Sequence, residues 1–241
     1  MARNVIVTGG GTGIGRAVAA RFAADADAVL LTGRRAEPLR TTADQLGPTV
    51  RSAVCDAADS AAVDALRPHL PETVDVLVNC AGGNTDFDRP DPADLKSLAA
   101  SWRANLDANL VSAVLMTALV RDRFPAGGTV VNIGSIAADK GAGAYGAAKA
   151  GLASWNIELA RELGPHDVTA NVVSPGYIAD TEFFRDRLTE QRRGMLIAST
   201  STGRAGTPDD IAGTVHFLAS PAARHITGQV LAVNGGERTT R

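Results

Sequence analysis

Asn4-Val5-Ile6-Val7-Thr8-Gly9-Gly10-Gly11-Thr12-Gly13-Ile14-Gly15 opens the chain and decides how the rest of it is read. A run of β-branched residues fits a short buried strand. The glycines mark a tight turn, and residues 14–24 return their apolar side chains at helical spacing. The unit is strand, turn, helix. Further apolar runs at 28–32, 50–55, 74–79, 128–133, 169–173 and 229–233 repeat the strand pattern. Helical spacing recurs at 61–66, 106–121, 145–163 and 208–218. Continuous Val/Ile runs alternating with helices predict a parallel sheet covered on both faces. The expected fold is therefore α/β: a single doubly wound Rossmann domain over residues 1–241, with a seven-stranded parallel sheet and helices on both faces.

Composition narrows the functional classes. Only 4% of the 241 residues are aromatic, so small aliphatic side chains must build the core. A formal net charge of −2 gives no electrostatic case for nucleic acid or a membrane surface. No window reaches the ~18 apolar residues that a spanning helix needs. Cys55 and Cys80 form no CxxC pair, and with the four histidines they give no metal-ligand spacing. The reading is a cytoplasmic protein with reduced thiols and no metal.

A glycine-rich turn between a first strand and a first helix lets backbone approach a pyrophosphate, and the helix amino terminus offers unpaired N–H groups and partial positive charge. Gly9, Thr12, Gly13, Ile14 and Gly15 are the residues placed to do this. A dinucleotide site preferring NAD usually ends its second strand with a carboxylate for the ribose 2′-hydroxyl. Here Thr32-Gly33-Arg34-Arg35 stands at that end. Guanidinium groups suit a 2′-phosphate, so NADP(H) is preferred and NAD(H) is the alternative.

Tyr145 and Lys149 are four residues apart on a predicted helix, hence on one face. A neighbouring ammonium stabilises a phenolate, which predicts a tyrosine pKa lowered from ~10 toward a working value. Ser135 ends the fifth predicted strand, at the sheet edge where ligands bind. Asn109 sits inside a predicted helix that it disfavours, either as a surface residue or to hold a water near the site. Residues 82–94 are polar with Pro90 and Pro92 and predict a surface loop. The segment 178–208 is long enough to be a substrate lid. Tyr177, Phe183, Phe184 and Met195 give it an apolar inner side, compatible with acyl, polyketide, terpenoid or aromatic ketones.

Taken together, these residues resemble the short-chain dehydrogenase/reductase family, in its 3-oxoacyl-reductase-like branch. The resemblance covers essentially the whole chain, through residues 8–15, Asp56, Asn79-Cys80-Ala81-Gly82, Asn109, Ser135, Tyr145 with Lys149, residues 171–176, and the tail motifs Gly203-Arg204-Ala205-Gly206-Thr207-Pro208 and Ile226-Thr227-Gly228-Gln229. It implies a nicotinamide oxidoreductase acting on a small carbonyl or alcohol. Ser135 would polarise the substrate oxygen, Tyr145 would exchange the proton, and Lys149 would tune Tyr145 and hold the nicotinamide ribose. Asn109 would keep a water in a relay from Lys149. Asp56 would bond the adenine, Asn79 would support the central strands, and Ala81 and Gly82 would line the cofactor. Pro175, Gly176 and Ile178 would border the nicotinamide, with Thr181 on its carboxamide. A dimer or tetramer through 106–121 and 145–163 is also implied. The sequence departs from the family pattern at Cys80, in the ten-residue step from Ser135 to Tyr145, and in one extra residue between Gly176 and Thr181. The rival readings are an NAD-linked alcohol dehydrogenase and a non-catalytic dinucleotide-binding regulator, and Ser135, Tyr145, Lys149 and Asn109 argue against the latter.

Overall fold

Val5, Ile6 and Val7 show how the core divides. Alternate residues of an extended strand face opposite sides of a sheet. In the computed structural model, which describes residues 2–239, Val5 and Val7 enter one apolar layer while Ile6 enters the other. The strands are β1 (Asn4–Thr8), β2 (Ala28–Gly33), β3 (Val50–Val54), β4 (Val76–Asn79), β5 (Thr129–Ile133), β6 (Thr169–Pro175) and β7 (Val230–Val233). They form one sheet in the order β3-β2-β1-β4-β5-β6-β7, with every neighbour pair parallel. The chain winds outward from β1 to β3, then crosses back to place β4 beside β1. Such a switch point opens a crevice at the carboxyl ends of the central strands.

Three helices cover one face: α1 (Gly13–Ala24), α2 (Ala36–Leu46) and, later in the chain, α9 (Pro208–Leu218). Phe22, Leu39, Ile211 and Leu218 are their deepest side chains. The other face is covered by α3 (Ser60–Asp64), α5 (Ser112–Val120) and α7 (Gly143–Leu163) through Val63, Met116, Leu119, Leu159 and Leu163. A fully buried side chain of this size contributes roughly 1.5–3 kcal/mol, so two continuous layers hold the sheet with little help from charge. Three more helices complete the fold: α4 (Leu95–Leu106), the short α6 (Ala137–Lys140) and α8 (Glu190–Ala198). No helix among the described residues is long and apolar enough to cross a membrane.

The expected helix at 106–121 is longer and interrupted. It begins at Leu95, where the Asp94 side chain accepts from Ser97 N at 2.6 Å and Ser97 reaches back to Asp94 N in a capping box. A π-helical turn over Asp107–Val111 then joins α4 to α5, with Asn109 buried inside it. The polar stretch 82–94 contains a 3-10 turn at Thr85–Asp88. The segment 178–208 carries a 3-10 turn at Arg185–Arg187 before α8, none of whose residues is buried.

Three buried asparagines stitch strands and helix together. Asn79 Nδ2 donates to Asn132 Oδ1 at 2.9 Å, Asn132 Nδ2 to Asn156 Oδ1 at 3.1 Å, and Asn156 Nδ2 to the Ala170 carbonyl at 3.2 Å. Asn132 lies on β5, whose end leads into Ser135, and Asn156 lies on α7 with Tyr145 and Lys149. The line therefore fixes the strand leading to the serine against the helix bearing the tyrosine.

Candidate active site

The turn after β1 is shaped by contacts only glycine tolerates. Gly9 and Gly13 hold φ of +67° and +51°, the left-handed region that L side chains avoid. A Cβ on Gly15 would lie 2.2 Å from the Gly9 carbonyl oxygen. Gly15→Ala must therefore move backbone, and it is expected to lower stability by about 2–3 kcal/mol; an unchanged midpoint in thermal unfolding would refute this. Thr8 secures the turn from below. Its Oγ1 accepts from Cys80 N at 3.0 Å and Ala81 N at 2.9 Å, joining the ends of β1 and β4. The first turn of α1 faces the resulting cleft, so its free N–H groups and the glycine backbone fit a pyrophosphate.

The cleft encloses about 1120 Å³, beyond the ~300–1,000 Å³ usual for one small ligand and consistent with a dinucleotide plus substrate. Gly9, Thr12, Gly13, Ile14, Gly15, Arg34, Arg35, Asp56, Ala81, Gly82, Pro175, Gly176, Ile178 and Thr181 all line it, as do Ser135, Tyr145, Lys149, Tyr177, Phe183 and Phe184. At one end Arg34 is exposed and makes no ion pair among the described residues. Arg35 instead crosses the cleft to Glu182 at 2.6 Å. Asp56 is exposed, one carboxylate oxygen accepting from Ala58 N at 3.1 Å. The Thr181 hydroxyl donates to the Ile178 carbonyl at 3.2 Å, and its methyl lies over Gly13.

At the other end the ten-residue step from Ser135 is folded into α6 and a left-handed turn at Gly141. It brings the Ser135 and Tyr145 hydroxyls together. Tyr145 is buried, and its pKa is pushed up to about 12 by that burial, against which the Ser135 hydrogen bond pulls down. This corrects the expectation of a lowered tyrosine. Lys149 lies behind the ring, its Nζ 5.9 Å from the ring centroid, and donates to the Ile133 carbonyl at 2.7 Å. Burial also lowers Lys149 itself from 10.5 to about 8. Cys80 sits beside this lysine, its thiol held protonated by burial with a pKa of about 12. Both cysteines are free.

Two residues named from the sequence have side chains elsewhere. Asn79 does not face the cleft: its amide donates to Thr117 Oγ1 at 3.0 Å and to Asn132 on the far face of the sheet. The strand pleat explains this, since the cleft is lined by Cys80 and Ala81 just beyond. Asn109 likewise spends its amide on other partners. Its Oδ1 accepts from Gly83 N at 2.9 Å, while its Nδ2 donates to the Gly83 and Asn105 carbonyls. It braces the loop after β4 with both Nδ2 protons committed. A Cβ on Gly82 would meet Asn109 Oδ1 at 2.5 Å, so this bracing requires glycine there.

The segment Glu182-Phe183-Phe184-Arg185 spans the cleft mouth. Glu182 is tied to Arg35, and Arg185 makes a two-pronged pair with Asp88, Nε to Oδ1 at 3.1 Å and Nη2 to Oδ2 at 2.9 Å. The phenylalanines between these pairs drop inward onto Tyr145, Tyr177 and Phe87. Sequence reading missed Phe87, Asp88 and Glu182 as parts of the site, because each acts through partners distant in the chain.

Comparison with known proteins agrees with this architecture. A family model described as Enoyl-(Acyl carrier protein) reductase matches residues 9–237. The chain is 37% identical over 245 residues to (2S)-[(R)-hydroxy(phenyl)methyl]succinyl-CoA dehydrogenase subunit BbsD of Thauera aromatica, covering 97% of this chain and 96% of that one. It is 35% identical over 243 residues to the 3-oxoacyl-[acyl-carrier-protein] reductase of Escherichia coli, covering 96% and 95%. Among solved structures, a blue fluorescent protein from a metagenomic library, in complex with NADPH, superposes with a TM-score of 0.85 at 33% identity over 98% of both chains. Fold, cleft and relatives agree: this chain belongs to the short-chain dehydrogenase/reductase family, as an NAD(P)-dependent oxidoreductase of its 3-oxoacyl-reductase-like branch.

Proposed function

We propose that the protein reduces a ketone to a secondary alcohol, or runs the reverse reaction, with NADPH as cofactor and Tyr145 as the proton-exchanging group. The observation that carries this reading is the pairing of the Ser135 and Tyr145 hydroxyls on the cleft wall with Lys149 buried behind them. Two O–H donors side by side can both point at one carbonyl oxygen, where negative charge develops during reduction. When bound, the nicotinamide supplies the hydride. Tyr145 gives its proton to the oxygen, and Ser135 orients that oxygen by a hydrogen bond. Lys149, held by the Ile133 carbonyl, would hold the nicotinamide ribose. A tyrosine kept neutral by burial is a proton donor at neutral pH, which suits the reductive direction. The names of the Thauera and Escherichia coli relatives both describe exchange between CH–OH and C=O.

The preference for NADPH rests on Arg34 and Arg35, since β2 itself ends without a carboxylate; Arg34 is the unpaired one among the described residues, and Arg35 is shared with Glu182. Gly9, Thr12, Gly13, Ile14 and Gly15 would hold the pyrophosphate, Asp56 the adenine, and Pro175, Gly176, Ile178 and Thr181 the nicotinamide. The segment 178–208 serves as the lid. Arg34→Ala is expected to weaken NADPH binding by roughly tenfold, the loss of one charge-assisted contact, and to leave NADH binding nearly unaltered. Fluorescence titration of both cofactors measures this, and unchanged NADPH affinity would defeat the assignment. We further infer a homo-oligomer, because α4 exposes Leu95, Leu98 and Trp102 and α7 exposes Ile157. The free thiols support a reducing, cytoplasmic setting.

A further inference from the structure

The chain is sparing with aromatic residues, and it concentrates them in one place. It has six phenylalanines, two tyrosines and two tryptophans. Both tyrosines and three of the phenylalanines meet at the mouth of the cleft, brought there by the loop after β4, by α7, and by the stretch following β6. The two apolar layers of the sheet contain one fully buried aromatic side chain, Phe22. Aliphatic residues fill those layers, so packing alone does not require rings at the cleft.

The arrangement of the rings is specific. Phe183 occupies the centre. Phe184 meets it edge-to-face at 4.9 Å and 86°, Phe87 does so at 5.8 Å and 83°, and Tyr145 lies tilted at 5.5 Å and 53°. Three ring walls thus surround a seat occupied by a phenyl group, and one wall is the tyrosine that exchanges the proton. Phe183 is carried on the lid, held down by exposed ion pairs at Glu182 and Arg185. Exposed pairs of this kind contribute at most about 1 kcal/mol each, so the lid ring is held chiefly by its ring contacts, which a substrate ring would replace in kind.

We infer that the substrate is an aryl ketone whose ring takes the seat of Phe183 between Phe87, Phe184 and Tyr145. The inference rests on the reductase reading above and adds the substrate class. A ring bonded directly to the carbonyl, seated against Tyr145, brings the carbonyl oxygen toward the Tyr145 and Ser135 hydroxyls. An alkyl chain would fill the same space but gain none of the edge-to-face attraction, which is worth ~0.5–1.5 kcal/mol per ring pair.

The test is the steady-state reduction by NADPH of two ketones that differ only in aromaticity, ethyl phenyl ketone and ethyl cyclohexyl ketone. The phenyl ketone is expected to have a kcat/KM at least about tenfold higher. Phe87→Leu and Phe184→Leu should each reduce that ratio severalfold, and Phe183→Ala should lower KM for the phenyl ketone by vacating the seat. Saturation-transfer NMR of both ketones with the wild-type protein and NADP+ reads the same preference without turnover. A ratio near or below one overturns the inference. If both ketones are refused while a straight-chain 3-oxoacyl thioester is reduced, the aryl assignment fails and the reductase reading stands. If NADPH binds and no carbonyl is turned over, the reductase reading itself fails, and the inference with it.

Discussion

Tyr145→Phe is expected to fold normally, to bind NADPH with near wild-type affinity and to lose about a thousandfold in kcat. The change removes one oxygen and leaves the ring packed against Phe183. General acid–base groups contribute ~10²–10⁴ in rate, and the neighbouring hydroxyl, Ser135, is too weak an acid to substitute. The same group sets a pH expectation. Burial raises the tyrosine from 10.0 to about 12, so its neutral, donating form is complete below pH 10 and is lost only as pH climbs through 12. Folding stability follows the same sign, since the folded state retains a proton that the unfolded chain releases above 10. Reductive kcat should therefore show no tyrosine-dependent fall between pH 6 and about 9. Stopped-flow or steady-state absorbance at the nicotinamide band measures both, and a variant retaining more than a tenth of wild-type kcat would remove Tyr145 from the chemistry.

Lys149→Met should combine a comparable loss of turnover with a gain in stability of the cofactor-free protein. The ammonium is buried, and that burial lowers its pKa from 10.5 to about 8. The difference corresponds to roughly 3 kcal/mol of destabilisation wherever the lysine is charged in both folded and unfolded states. Methionine fills similar volume without the charge. Losing the Nζ bond to the Ile133 carbonyl leaves an acceptor unpaired and returns about 1–2 kcal/mol of that gain. The net expectation is about 1–2 kcal/mol in favour of the variant at pH 7. The sign of the pH dependence is fixed. Between pH 8 and 10.5 the unfolded wild type holds a proton that the folded form has shed, so wild-type stability rises and the variant's advantage shrinks. Urea unfolding at pH 7 and pH 10 tests this; a less stable variant, or an equal margin at both pH values, would contradict it.

The strands, the glycine turn and the side chains proposed for catalysis were legible because each is announced locally, by β-branched runs, by glycine, or by a four-residue helical step. All seven strands fall where apolar runs predicted, with no end shifted by more than two residues. The π-helical break near Asn109 was only half legible, since a poor helix former marks trouble without saying what geometry results. The partners of Asn79 and Asn109 were hidden for another reason. Which way an amide points depends on strand pleat and on loops folded from elsewhere, here Gly83 and Asn132. Glu182 and Arg35 are 147 positions apart, and a pair that distant leaves no mark in either segment. The raised tyrosine pKa likewise depends on how deeply neighbouring rings cover it, which spacing along one helix does not report.

The row of asparagines has one more consequence. The Ala170 carbonyl can only accept, so Asn156 must turn its nitrogen toward it; that forces its oxygen toward Asn132, which forces the next amide in turn. The whole row is polarised in a single sense, like a file of dominoes that stand or fall together. Replacing any one amide would strand its neighbours in a dry interior, and the spacing between the strand leading to Ser135 and the helix bearing Tyr145 would loosen as a unit. The alignment of Ser135 with Tyr145 is anchored some distance below the cleft floor, in buried side chains.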